Sequence, residues 1–341
     1  MREAFGEWFD VPAGYLNTAS IGIPSSAVAD AVAAAVADWR VGAARPPDFD
    51  RHVAAARAGW ARLVGVPADT VASGASVSQL VGLVAASVPD GTRVVTVANE
   101  FTSVTFPFAA QEKRGVTVRE VAAGELSAAA AGADLVAVSV VQSADGAIAD
   151  VAALRDRGTR VLLDVTQAVG WLPLSLGWAD WVVGGSYKWL AAPRGAAWLA
   201  VRPDAPELVP QAANWYATTD PWDGVYGLPL RLAAGARGLD LSPVWFAQLG
   251  AAVATSWFAG LDLDAVRAHC AGLADTVRTN LGQPALGSAI VSLDLTPDQA
   301  KRLADAGVVG SLRAGRTRLS FHLYNTEDDV ERVLDAVTTR S

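Results

Sequence analysis

The sequence predicts an α/β fold, with a large domain on a mostly parallel sheet and a small C-terminal α+β domain. Three observations carry this. Between about residues 65 and 200, short apolar runs alternate with helical stretches, the order that builds a doubly wound sheet. One of these runs, Arg160-Val-Leu-Leu-Asp164, ends on a carboxylate, and groups at the carboxyl ends of strands line the ligand crevice of open α/β sheets. Beyond about residue 261 the order is helix, strand (289–295), helix, strand (317–323), helix. The expected boundaries are an N-terminal segment over 1–25, a large domain over 26–245 and a small domain over 246–341.

Taken in order, Tyr15 to Pro24 is extended and rich in small residues, reading as an edge strand and turn. Ser26 to Arg40 is a helix with Ala27, Val28, Ala31, Val32, Ala35 and Val36 on one stripe, and a second runs from about Arg51 to Val64. Gly74-Ala75-Ser76 leads straight into the apolar helix beginning near Leu80. A helix start of this kind either attracts phosphate through its free amides or is a plain serine cap. Arg93 to Ala98 is a buried strand followed by Asn99-Glu100-Phe101. Val116 to Val121 and Leu135 to Val141 are further strands, the second running into Gln142-Ser143. A helix is expected over 151–158, before the Asp164 strand. The aromatic, irregular stretch 211–240 suggests a pocket wall or a subunit interface. A long helix then runs to about Ala259. The last helix is expected to be capped by Thr326 with Asp329 at the capping-box position.

With 341 residues, 52% of them hydrophobic and 18% charged, the composition is that of a globular enzyme. A net charge of −8 argues against nucleic acid or an anionic membrane surface as partner. The single cysteine, Cys270, cannot form an internal disulfide. The three histidines, His52, His269 and His322, are too scattered in sequence to suggest a metal site, so no metal is expected. No leader or apolar run of roughly 18 residues is seen, and a cytoplasmic location is expected. No Gly-x-Gly-x-x-Gly fingerprint accompanies the strands, which argues against a nicotinamide enzyme.

Lysine occurs only at 113, 188 and 301. Lys113 and Lys301 stand among polar residues, whereas Lys188 follows the apolar run Trp181-Val-Val-Gly-Gly and is flanked by Tyr187 and Trp189. A desolvated amine there is a nucleophile for carbonyl compounds; the alternative is a side chain that snorkels to water. Asp164-Val-Thr-Gln167, Ser186-Tyr187-Lys188 and Arg318-Leu-Ser-Phe-His-Leu-Tyr324-Asn325-Thr326 occur in that order. Together they resemble the class V aminotransferase family, which contains cysteine desulfurases, selenocysteine lyases, kynureninases and isopenicillin N epimerase-like enzymes.

The resemblance implies a fold type I enzyme with a seven-stranded-type sheet and pyridoxal 5'-phosphate bound covalently at Lys188. It implies that Asp164 keeps the pyridine nitrogen protonated, Gln167 bonds the ring oxygen and Phe101 stacks on the ring. Gly74, Ala75, Ser76, Ser186 and Tyr187 fall at cofactor-binding positions. Arg318 would grip the substrate carboxylate, with Ser143 and the segment Asn17 to Ser20 also near substrate. A homodimer is implied, in which Ser242, with Arg237 behind it, reaches the neighbouring subunit's phosphate. Desulfuration, elimination, epimerisation and side-chain cleavage share this fold. The reaction expected is lyase chemistry on a cysteine-derived amino acid by elimination, without a persulfide-forming cysteine. Epimerisation or kynureninase-like cleavage is the alternative, and an inactive binding protein a remote one.

Overall fold

The computed structural model describes residues 1–155 and 157–338. A hairpin of β1 (Arg2–Ala4) and β2 (Glu7–Phe9) precedes α1 (Ser26–Arg40) and α2 (Asp50–Val64). Then come β3 (Val71–Gly74), α3 (Val77–Ser87), β4 (Arg93–Val97), α4 (Thr102–Ala109), β5 (Thr117–Val121), α5 (Leu126–Ala130), β6 (Leu135–Ser139), β7 (Arg160–Asp164), β8 (Trp181–Gly185) and β9 (Ala197–Val201). The chain closes with α6 (Trp245–Phe258), α7 (Leu263–Asn280), β10 (Ile290–Leu293), α8 (Pro297–Asp305), β11 (Ser311–Arg313), β12 (Arg316–Ser320) and α9 (Glu327–Thr338).

The central sheet has seven strands in the order β3-β9-β8-β7-β6-β4-β5. Neighbours from β5 across to β8 run parallel, and β9 pairs antiparallel with both β8 and β3. The sheet is therefore mostly parallel, with one reversed strand. β6 and β8 are buried along their whole length, which is why they read as unbroken apolar runs. A second sheet, β10-β12-β11, is antiparallel and lies with α7, α8 and α9.

α2 and α6 approach closely. At Gly59 an added Cβ would stand 2.5 Å from the Thr255 hydroxyl. Below this pair, a buried bidentate bridge of Arg57 to Asp240 (2.6 and 3.0 Å) ties α2 to the chain leading into α6.

Two local expectations change and a third is extended. The segment expected as a helix over 151–158 is only a 3-10 turn, Ala152–Leu154. Asp150 caps it through the Ala153 amide (3.2 Å), and Gly158 at φ +70° breaks it; Asp156 lies outside the described residues. The last strand stops at Ser320, because the Asn325 side chain takes the His322 amide (2.8 Å) and turns the chain. Asp329 accepts the Thr326 amide (3.2 Å) as a capping box requires. It also holds Arg2 (2.6 Å), the Gly14 amide (2.8 Å) and Asn325 (2.9 Å), so it acts as a clamp between the two ends of the described chain.

Residues 16–22 run alongside β12 and cross to the large sheet. Ser320 donates its amide to Leu16 O (2.8 Å), Ala19 donates to the Ser320 hydroxyl (3.0 Å), and Gly22 donates to Tyr187 O (2.9 Å). At Gly22 a Cβ would lie 2.1 Å from Lys188 O and 2.9 Å from Ala191 Cα. Gly22→Ala should therefore lower the unfolding midpoint, costing roughly 1–3 kcal/mol. Gly272→Ala, in α7 where a Cβ meets nothing within 4 Å, should gain about 0.5–1 kcal/mol. Equal midpoints for the two variants in denaturant titrations would contradict this reading.

Candidate active site

β6, β7 and β8 lie side by side, with Ser139 opposite Asp164 and Asp164 opposite Val183. Their carboxyl ends therefore deliver the segments after Ser139, Asp164 and Gly185 to one edge of the sheet. A cleft of ≈ 570 Å³, including its open mouth, forms there. Asp164, Thr166, Gln167, Tyr187, Lys188 and Arg194 line it from the sheet, with Ala75 to Ser78, Phe101, Ser103 and Ser143 around them.

The Lys188 side chain is 5% exposed. Its Nζ lies 5.1 Å from the Phe101 ring centroid and 5.7 Å from that of Tyr187, with no hydrogen-bond partner among the described residues. Burial pulls its pKa down to about 8 against the attraction of Asp164, and Arg318, Arg313 and Arg194 add to the lowering. Burial also pushes Asp164 up to about 6, opposed by the Thr166 amide (2.7 Å), the Thr166 side chain and Lys188. At neutral pH the two side chains hold a carboxylate and an ammonium that readily gives up its proton.

Arg318 is 1% exposed. Its Nη1 donates to Ser143 O (2.6 Å) and Oγ (2.9 Å), its Nη2 to Ser20 Oγ (2.7 Å) and its Nε to Ser311 Oγ (3.2 Å). None of these acceptors carries charge. Burial draws the guanidinium down to about 10, with repulsion from Arg313 behind it. A buried cation bonded only to neutral oxygens is ready to take an anion.

At the start of α3, Ser76 Oγ accepts the Gln79 amide (3.4 Å), leaving the Val77 and Ser78 amides without intrahelical partners at the cleft. Arg194 lies over the Tyr187 ring (5.1 Å) and pairs with no acid among the described residues. Free amides, hydroxyls and an arginine suit a phosphate. The unbonded amine of Lys188 suits a carbonyl. Arg318 is not itself among the lining residues but meets the cleft wall through Ser143, and without an acid partner among the described residues it suits a carboxylate.

Several expected residues stand elsewhere. The Ser186 hydroxyl is buried away from the cleft and donates to Pro193 O (2.7 Å). Gly74 ends β3 behind the lining. Asn17 pairs with Ser320 through its backbone, and its Oδ1 is buried without a partner outside the cleft lining. Ser242, after Leu241, whose amide bonds Ser73 O (2.8 Å), and Arg237, which bonds Asp240 (3.1 Å), lie outside this subunit's own cleft, and the expectation for them concerns a neighbouring subunit's phosphate. Gln167 lines the cleft, but both its amide hydrogens are taken, by Ala19 O and Ser143 Oγ (3.0 Å each). Its Oε1 accepts the Trp189 indole (2.7 Å), so no hydrogen is left for a ring oxygen. Ser143 Oγ accepts from both Gln167 and Arg318 and keeps its own hydrogen to give.

Sequence reasoning missed Arg194, Thr166 and Glu100, while Ser20, expected with the 17–20 segment near substrate, bonds Arg318 (2.7 Å). Glu100 is a buried carboxylate met by Ser139 N (2.7 Å), Ser139 Oγ (2.6 Å), Gln142 Nε2 (2.9 Å) and Phe101 N (2.7 Å), which together fix the turn that carries the Phe101 ring. Pro193-Arg194-Gly195, just before a strand, was a readable signal; the others depend on contacts far along the chain.

Residues 42–296 match the family model described as aminotransferase class-V, and the chain belongs to that family. Its cofactor is pyridoxal 5'-phosphate. Among curated proteins, the chain is 24% identical over 225 residues to an uncharacterized aminotransferase, YcbU, of Bacillus subtilis strain 168. The match takes in 61% of this chain and 60% of that protein, less than two thirds of its length. Among solved structures, it resembles the cystine C-S lyase C-DES, solved with its reaction product cysteine persulfide (TM-score 0.85, 18% identity, 97% of this chain and 99% of that one). It also resembles the cysteine desulfurase CsdA of Escherichia coli (TM-score 0.81, 18% identity, 96% and 95%). Among the described residues no helix is long and apolar enough to cross a membrane.

Proposed function

We propose that the protein is a lyase that eliminates a sulfur leaving group from the β-carbon of a cysteine-derived amino acid. The observation that carries this is a cleft with one base. Among the lining residues, Lys188 alone has an amine drawn to about 8, while burial holds the Tyr187 phenol above its ordinary value and Phe101 carries no proton. Bound here, pyridoxal phosphate supplies an electron sink for charge developing at the substrate's α-carbon. Lys188 is assigned to hold the cofactor covalently and, once displaced by the substrate amine, to take up the α-proton. Asp164 is assigned to the ring nitrogen, Phe101 to the ring face and the Ser143 hydroxyl to the ring oxygen. The amides of Ser76 to Ser78 and the Ser76 and Ser78 hydroxyls, with Arg194 and Tyr187, are assigned to the phosphate, while the Ala75 amide is taken by Gln79 Oε1 (3.1 Å); Arg318 is assigned to the α-carboxylate.

A thiolate or hydropersulfide leaves without needing an acid, which suits a cleft poor in proton donors. Epimerisation by bases on opposite faces would need a second one. The structural likeness to a cystine C-S lyase favours the same choice. The exposed side chains of Trp222, Tyr226, Leu228 and Leu230 favour association as a homodimer, placed here in the cytoplasm. Incubation with L-cystine and S-aryl-L-cysteines should release thiol species, 2-oxo acid and ammonia in equal amounts. Stoichiometric transfer of the amino group to an oxo-acid acceptor would overturn the lyase reading.

A desulfurase route through an enzyme persulfide is not expected. Cys270 is buried in α7, outside the cleft lining, and burial pushes its thiol well above the ordinary range. Cys270→Ser should retain most turnover. A persulfide on Cys270 by mass spectrometry, with activity lost in the serine variant, would place the protein with the desulfurases.

A further inference from the structure

Two arginines share one hydroxyl at the edge of this site. Ser20 Oγ accepts Arg318 Nη2 at 2.7 Å and Arg313 Nη2 at 3.3 Å. The β11–β12 hairpin sets this up. Ser311 stands opposite Arg318 and Arg313 opposite Arg316, so Ser311 and Arg313 fall on the same face. The turn between them uses Ala314 (φ 45°) and Gly315 (φ 76°), and an alanine in the left-handed region costs energy. Arg313 is exposed; its other bond is to Leu312 O (2.7 Å), and it pairs with no acid among the described residues. Several other surface arginines are ion-paired. Arg45, Arg93, Arg114, Arg160 and Arg202 each meet an aspartate within 3.3 Å. Arg313 instead stands beside a second cation, and its charge is felt by both Arg318 and Lys188.

Arg318 answers one carboxylate, and Arg194 and the start of α3 answer the phosphate. Arg313 is left over, on the exposed side of Ser20 and across that hydroxyl from Arg318. We propose that Arg313 recognises a second anionic group on the substrate side chain, so that the enzyme selects amino acids carrying an acidic group beyond the β-carbon. This rests on the assignment of Arg318 to the α-carboxylate. It goes further by stating the substrate class: dicarboxylic amino acids, including cysteine S-conjugates that end in a carboxylate.

The test is titration calorimetry on the cofactor-loaded protein with matched pairs. S-carboxymethyl-L-cysteine is compared with S-carboxamidomethyl-L-cysteine, and L-glutamate with L-glutamine, the visible spectrum being followed in parallel. The wild type should bind the acid of each pair about tenfold or more tightly than the amide, as one charge-assisted contact allows. Arg313→Gln should bring that ratio close to one by weakening the acid, and Arg313→Lys should restore part of it. Equal binding of acid and amide by the wild type would overturn the proposal while leaving the Arg318 assignment standing. Equal weakening of both members in Arg313→Gln would overturn it as well, since Arg313 would then be serving the α-carboxylate. If Arg318→Gln binds every ligand as the wild type does, the underlying assignment fails and the proposal falls with it.

Discussion

Lys188→Ala is expected to abolish turnover and covalent retention of pyridoxal phosphate while leaving the fold intact. The amine makes no hydrogen bond, so its loss strands no donor or acceptor; Asp164 loses a nearby cation but keeps the Thr166 amide (2.7 Å). As the proposed sole base of the cleft, it should be worth at least about 10²–10⁴-fold in rate. Borohydride reduction of the loaded wild type followed by peptide mapping should place the adduct on Lys188. An adduct on Lys113 or Lys301 would remove the basis of the assignment. The same residue gives a pH signature in the cofactor-free protein. Its folded pKa of about 8 lies below the ordinary value of 10.5, so between those values the unfolded chain binds a proton that the folded chain does not. Stability should therefore rise with pH across that window, with a limiting slope of about 1.4 kcal/mol per pH unit, and below about pH 8 the full cost of the buried charge remains. Buried tyrosines, among them Tyr216 and Tyr324, have pKa values raised above 10 and reverse the trend above that pH. The comparison of wild type with Lys188→Ala is therefore cleanest from pH 7.5 to 9.5. Parallel pH profiles of the denaturation midpoint would show that the amine is not desolvated.

Arg318→Ala should leave cofactor binding intact and cost substrate binding about 2–5 kcal/mol, the penalty for stranding a carboxylate in a buried site. The guanidinium bridges Ser143 on the large sheet, Ser20 on the N-terminal segment and Ser311 on the hairpin, so some loss of stability is also expected. Arg318→Lys separates the two effects. It keeps a cation but loses the fork, and it should restore stability more fully than affinity. Loss of cofactor with an unchanged response to amino acids would assign Arg318 to the phosphate instead.

The sheet was legible because most of its strands are buried on both faces and so appear as apolar runs ending in Asp164 and, after Gly185, Lys188. The lysine stood out because its two counterparts sit in polar company. What escaped was whatever depends on partners far along the chain. Gln167 looks free in sequence, but the fold spends its amide on Ala19, Ser143 and Trp189. Ser186 reads like a phosphate ligand, yet the turn at Pro193 takes its hydroxyl. Arg313 carries no local mark that separates it from the arginines paired to aspartates, and its place beside Ser20 and Arg318 shows only in three dimensions. The helix expected over 151–158 failed for a local reason, since Gly158 ends it within two turns.

The strand-like passage of residues 16–22 along β12 has a consequence for assembly. Ser20 and Arg318 are 298 residues apart, and Ala19 and Ser320 are 301 apart, so the substrate pocket closes a loop spanning most of the chain. The groups around Lys188 and Asp164, by contrast, come from a continuous stretch of the large sheet. On a ribosome the cofactor cradle can be complete before β12 exists, whereas the carboxylate grip waits for the last strand to be made and for the early segment to come back to it. A nascent enzyme would then be able to acquire its coenzyme before it can select a substrate.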